Sequence, residues 1–168
     1  MNREENKAAV LAFLEEHGIA FEKLEYPPIT TVAEGEAISA TLGAFCCKCL
    51  LMKNRKGSLY LFMIPGSKRF KSGAAAKALG SGHLSFADES DLATALHTFP
   101  GAVSPLGLIF DTEKKVAFVM DEEAFAAPFL DAHPCDNGCS VKFSREDFTE
   151  KFLPASGHAL TLITLPAE

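Results

Sequence analysis

The sequence predicts an α+β fold: a mixed, largely antiparallel sheet, curled toward a barrel, with helices set around it. Apolar runs of strand length come in pairs joined by turn residues, as at 46–52 and 59–64 across Asn54-Arg55-Lys56-Gly57. Helical patterns fall between the strands on no strict β-α-β schedule, so the strands need not all run parallel. Hydrophobic content of 48% with no apolar run near 18 residues describes a globular chain. At 168 residues, one domain over 1–168 is expected, large enough to bury a core without disulfides or a metal.

In chain order, residues 3–16 place Ala9, Val10, Phe13 and Leu14 on one helical face, with Gly18 beyond the end. Residues 21–25 alternate apolar and charged as a half-buried strand does, and Tyr26-Pro27-Pro28 ends them. A second helix begins at Thr31, a candidate N-cap, and runs to Thr41 with Gly43 after it. Gly35 inside it costs about 1 kcal/mol relative to Ala, which marks this element as the mobile one. The hairpin follows and breaks at Pro65-Gly66. An Ala-rich helix over 72–79 ends at Gly80, 83–86 reads as a short strand, and Asp88 or Ser90 caps a helix reaching Leu96. Residues 106–110 read as a strand that turns at Asp111-Thr112-Glu113-Lys114 into 116–120, a second hairpin. Asp121, Glu122 and Glu123 open a helical turn favoured by the macrodipole. Residues 131–139 read as a loop and 140–143 as a strand. Ser144 caps a last helix over 145–153, and 159–165 is a closing strand.

Two stretches carry candidate chemistry. In Gly101-Ala102-Val103-Ser104-Pro105-Leu106-Gly107, both glycines can take positive φ, and Pro105 restricts Ser104. Such a loop can aim bare backbone N–H groups at one point, as an ester carbonyl turning into an oxyanion requires. A Gly/Ser/Pro cluster is equally an ordinary loop. Lys48 shares a strand face with Cys46, Leu50 and Met52, so it is desolvated unless it points into a cavity holding something anionic. An edge strand whose lysine reaches water gives the same pattern.

The net charge of −6 argues against a broad grip on nucleic acid. Residues 37–87, however, contain no acid and eight of the sixteen basic residues, while the other 117 residues hold all 22 acids. A local positive patch would suit a small phosphate-bearing end, unless the charges interleave in space. The five cysteines, odd in number and bunched as Cys46, Cys47, Cys49 and Cys135, Cys139, are no spaced disulfide framework and suit a reducing compartment. Cys47 or Cys49 with His133 could make a thiol nucleophile, or the thiols are buried and structural. Zinc held by Cys47, Cys49, Cys135, Cys139 and His133 fits the common ligand spacings poorly. Residues 2–7 are charged and precede an amphipathic helix, so no signal peptide is read and a cytoplasmic protein is expected.

Taken together, Lys48 in an apolar strand, Leu59-Tyr60-Leu61, Pro65-Gly66-Ser67-Lys68-Arg69, Leu84-Ser85-Phe86, Pro100 through Leu108 and His133-Pro134 resemble the free-standing prolyl-tRNA editing proteins of the YbaK-like, prolyl-tRNA-synthetase-associated domain family. The resemblance covers nearly the whole chain. It implies a mixed β-barrel flanked by helices and a deacylase that removes a wrong small amino acid, typically alanine, from prolyl tRNA. It further implies that Lys48 holds the terminal adenosine or its phosphate. Gly101 and the turn through Ala102, Val103, Ser104, Pro105 and Gly107 would surround the ester, and His133 would line the aminoacyl pocket. Where family members show His-Thr-Lys-Asn, this chain has Cys46-Cys47-Lys48-Cys49, so Cys49 replaces an amide in the substrate-binding set. No cofactor or metal is implied. The implied partner is the acceptor end of mischarged prolyl tRNA, with prolyl-tRNA synthetase as a transient one, and neither DNA nor a membrane. A non-catalytic module that binds aminoacyl-tRNA or the synthetase would use the same residues.

Overall fold

The computed structural model describes residues 2–167. Its first half runs α1 (Arg3–Glu16), β1 (Glu22–Glu25), α2 (Val32–Leu42), β2 (Cys47–Asn54), β3 (Leu59–Pro65), α3 (Ser72–Leu79), β4 (Leu84–Phe86) and α4 (Glu89–Leu96). A 3-10 helix (Pro105–Phe110) leads to β5 (Val116–Asp121), α5 (Glu122–Phe125), β6 (Phe129–Ala132) and β7 (Cys139–Ser144). A continuous helical stretch follows as α6 (Arg145–Asp147), a π-turn (Phe148–Phe152) and α7 (Leu153–Ser156), and β8 (Leu160–Ile163) ends it.

Local chemistry sets most of these boundaries. Thr31 Oγ1 accepts from the Glu34 N–H at 3.2 Å and Glu34 Oε1 accepts from the Thr31 N–H at 3.2 Å, a capping box that starts α2. Asp88 and Asp91 do the same for α4. Between β2 and β3, Asn54 Oδ1 accepts from the N–H groups of Lys56 and Ser58 at 3.0 and 2.9 Å, and Gly57 takes φ +87°.

Five strands form one sheet in the order β4-β2-β3-β5-β8, with β2 antiparallel to β3 and β4, and β5 parallel to β3 and β8. Three more form an antiparallel sheet in the order β1-β7-β6. Among the described residues one isolated bridge, between Phe45 just before β2 and Leu130 of β6, links the two, and they do not close into a barrel. β3 is buried on both faces: Leu61 and Met63 face one apolar cluster, Phe62 and Ile64 the other. That is why its sequence is a continuous apolar run rather than an alternating one. The larger cluster holds Val10, Leu14, Leu106 and Phe118, with Phe118, Phe148 and Phe152 in ring-to-ring contact at centroid separations of 5.4 Å. The smaller one is closed by α3 through Ala75.

Two expectations fail. Residues 106–110 are a 3-10 helix and not a strand, so there is no second hairpin. Ser104 Oγ accepts from the Leu106 N–H at 3.1 Å and Pro105 takes the first helical position, while β5 finds its partner in β3, with Leu59 opposite Val116. Residues 131–139 are also not all loop, because Asp131 and Ala132 belong to β6. Among the described residues no helix is long and apolar enough to cross a membrane.

Candidate functional site

The site lies where the two sheets part. Gly66 N–H donates to Cys46 O at 2.9 Å and Asn54 N–H to Ser58 O at 3.0 Å, so the even-numbered residues of β2 spend their backbone groups on β3. Those of Cys47, Cys49 and Leu51 therefore point away from β3. Leu51 O accepts from Ala87, and β4 covers the edge only from Met52 onward. At the other end of this edge, Phe45 N–H donates to Phe129 O at 2.9 Å, and beyond the Phe45–Leu130 bridge no pairing of β2 with β6 follows among the described residues. The gap is a cavity of about 280 Å³.

β2 and the residue before it contribute Cys46, Cys47, Lys48 and Cys49 to its wall, the β6 side contributes Asp131, Ala132 and His133, and Ser140 of β7 adds a hydroxyl. The start of α2 and the residues before it form a third side through Thr30, Thr31 and Val32, and Gly101 and Val103 form the fourth. Of the nine residues singled out from sequence, Lys48, Cys49, Gly101, Val103 and His133 meet here. Ala102, Ser104, Pro105 and Gly107 do not line the cavity but support its wall. Ala102 is fully buried with its N–H on Phe99 O at 3.0 Å and its carbonyl accepting from Thr98 Oγ1 at 2.8 Å. Ser104 and Pro105 start the 3-10 helix. Gly107 lacks the positive φ expected of it; a Cβ there would sit 2.6 Å from Leu96 O, so it is a close-packing glycine.

Gly101 does take φ +97°. Among the described residues, its N–H and that of Val103 have no acceptor, while the Ala102 N–H between them is used. Gly101 and Val103 both line the cavity. Lys48, half-buried, has no ion-pair or hydrogen-bond partner among the described residues. Two other cations of the basic stretch are already paired: Lys68 with Asp121 at 2.9 Å, both buried, and Lys53 with Asp91 at 3.0 Å.

On the far wall, His133 Nδ1 lies 2.8 Å from Cys139 O. A carbonyl only accepts, so Nδ1 carries a proton. Tyr26 joins through Ser140, its hydroxyl pushed up to about 12 by burial, against the opposing Ser140 hydrogen bond. Sequence reasoning missed Asp131, whose carboxylate accepts from Ser39 Oγ at 2.7 Å. Burial raises its pKa, with the Ser39 bond and the His133 charge working against the rise. The signal was present as two-residue spacing to His133, hidden by reading 131–139 as loop.

The thiols are poor nucleophiles. Burial pushes Cys49 up to about 12 and Cys47 further, with the neighbouring thiol and Asp131 adding to the rise. All five cysteines are free, and among the described residues no three His, Cys, Asp or Glu groups are placed to hold a metal ion. A Ser-His-Asp string does exist elsewhere: Ser156 Oγ is 3.1 Å from His158 Nδ1, and His158 Nε2 is 2.9 Å from Asp111 Oδ2. All three are buried, and Asp111 also accepts from the N–H groups of Lys115 and Val116, so the string pins the fold and faces no substrate.

Residues 26–151 match the family model of the aminoacyl-tRNA editing domain. The chain is 32% identical to the prolyl-tRNA editing protein ProX of Acetoanaerobium sticklandii, across 95% of this chain and 97% of that protein. It is 27% identical to the prolyl-tRNA synthetase associated domain-containing protein 1 of Danio rerio, across 90% and 83% of the two chains. The crystal structure of a candidate trans-editing enzyme for prolyl tRNA synthetase superposes with a TM-score of 0.71 at 22% identity, over 96% of this chain and 98% of that one, which is a likeness of fold.

Proposed function

The chain belongs to the aminoacyl-tRNA editing domain family, and from that premise we propose that it is a trans-acting deacylase that removes a mischarged small amino acid, alanine first, from prolyl tRNA. The observation that carries this reading is that Lys48, His133, and Gly101 and Val103, whose N–H groups have no acceptor among the described residues, line one cavity. At about 280 Å³ the cavity lies at the small end of ligand sites, which run to about 300–1,000 Å³, and it suits a short aminoacyl ester.

In this mechanism the ester carbonyl sits against the Gly101 and Val103 N–H groups, which stabilise the charge that develops on its oxygen. Water adds to the carbonyl carbon, and the ester C–O bond then breaks. The tRNA leaves with its terminal hydroxyl restored, and the amino acid leaves as a carboxylate. The neighbouring ribose hydroxyl relays the proton from water to the leaving oxygen, so no protein base is required. Lys48 holds the terminal adenosine or its phosphate, and with no ion-pair or hydrogen-bond partner among the described residues its ammonium is available for that purpose. His133 and Cys49 line the aminoacyl part. Raised thiol pKa values argue against a cysteine nucleophile. The reaction is placed in the cytoplasm, where the mischarged tRNA arises, with any contact to prolyl-tRNA synthetase transient.

The test is deacylation of alanine on prolyl tRNA, beside proline on prolyl tRNA and alanine on its own tRNA. Release from the first alone is expected. Binding without release would leave a non-catalytic module, and release of serine but not alanine would assign the changed specificity to the pocket that Cys49 lines.

A further inference from the structure

The mechanism above leaves Asp131 without a task, although it is the sole carboxylate among the residues lining the cavity. Its one side-chain partner is the neutral hydroxyl of Ser39, itself buried in α2. The nearest cross-strand cation, Lys142, is spent elsewhere, with Nζ 3.6 Å from Glu22 and 4.5 Å from the centre of the Phe129 ring. Apart from the nearby His133 ring, this carboxylate has no cation paired with it among the described residues, and in its ionised form it is costly unless something brought into the cavity compensates it.

The substrate class proposed above carries one cation at its reactive end. Its α-ammonium nitrogen is attached to the carbon next to the ester carbonyl, so whatever holds the carbonyl brings the ammonium within a few ångströms. Asp131 and His133 are two residues apart at the end of β6, and both line the cavity that Gly101 and Val103 face. We propose that Asp131, oriented by Ser39, binds the α-ammonium of the aminoacyl group, so that the site accepts esters with a free amino group and excludes N-acylated ones. Two fixed points, carbonyl oxygen and ammonium, then leave the side chain of the amino acid one direction to take, where its size is read. This inference rests on the editing reading.

The experiment uses stable amide-linked probes: a prolyl-tRNA acceptor minihelix ending in 3′-(L-alanylamino)-3′-deoxyadenosine, and its propionyl counterpart, which lacks only the amine. Titration of the wild type should show a preference for the alanyl probe of about tenfold or more, as expected for a charge-assisted contact in a sheltered site. Asp131→Asn, close to isosteric, should bind the two probes alike, and Ser39→Ala should fall between. In parallel, wild type should release alanine but not N-acetylalanine from prolyl tRNA, with the discrimination reduced in Asp131→Asn. Equal binding of both probes by an active wild type, or a preference that survives in Asp131→Asn, overturns the proposal and leaves the editing reading intact. A wild type that cleaves no ester and binds neither probe overturns both.

Discussion

Lys48 and Cys49 are neighbours on β2 whose environments give them opposite chemistry. The Lys48 side chain has no ion-pair or hydrogen-bond partner among the described residues, whereas desolvation pushes the Cys49 thiol up to about 12. Iodoacetamide at pH 8 should therefore leave Cys47, Cys49 and Cys135 unmodified in the folded protein and alkylate all five cysteines after denaturation, as read by intact mass. Rapid native alkylation of Cys47 or Cys49 would restore the thiol-nucleophile reading. Asp131 gives a second residue-level expectation. Its folded pKa lies above 3.8, so between these values the native state binds the proton more tightly than the unfolded chain, and its contribution to stability falls as pH rises through that window. Asp131→Asn should accordingly raise Tm at pH 7 and lose that advantage below pH 3.8, a site residue retained at a cost in stability. A Tm difference that does not change with pH would contradict this.

At the scale of elements, two glycines six residues apart differ in kind. Gly107→Ala drives a methyl group into the Leu96 carbonyl and should cost about 1–3 kcal/mol by chemical denaturation. Gly101→Ala meets no atom within 4 Å, so its cost is the backbone strain of φ +97°, about 1–2 kcal/mol, but deacylation should fall by far more than stability because the loop would relax away from its donor geometry. Sequence pattern alone gave both glycines one role. It resolved elements whose signals are local: the Thr31 N-cap of α2, the Asn54 turn, Gly80 after α3, and the apolar run of β3. It misread 106–110, since a short apolar run fits a strand or a buried helical turn and only the Ser104-Pro105 start distinguishes them here. It missed β6 because four residues, one of them Asp131, carry too little pattern to stand out.

Over the whole molecule, what the sequence could not show was convergence. Lys48, Gly101 and His133 were legible through the family resemblance, yet the cavity between a free β2 edge and β6 depends on how two sheets part beyond Phe45, a property of pairing rather than composition. Charge segregation along the chain likewise resolved only in space, where Lys53 and Lys68 are paired and Lys48 is not. The His158 string ties the approach to β8 to the turn before β5, far in sequence from the site. His158→Ala should cost about 1–3 kcal/mol by leaving the buried Asp111 carboxylate without one of its hydrogen-bond partners, with the deacylation rate per folded molecule unchanged. The central claim is that Lys48 and the Gly101 loop make this cavity a deacylase, and the most direct measurement is single-turnover hydrolysis of alanyl prolyl tRNA by wild type and Lys48→Ala, each confirmed folded by its melting transition. Loss of about a hundredfold or more in the variant, of the order that one key electrostatic contact supplies, is the expected result; a variant as fast as the wild type would contradict the account.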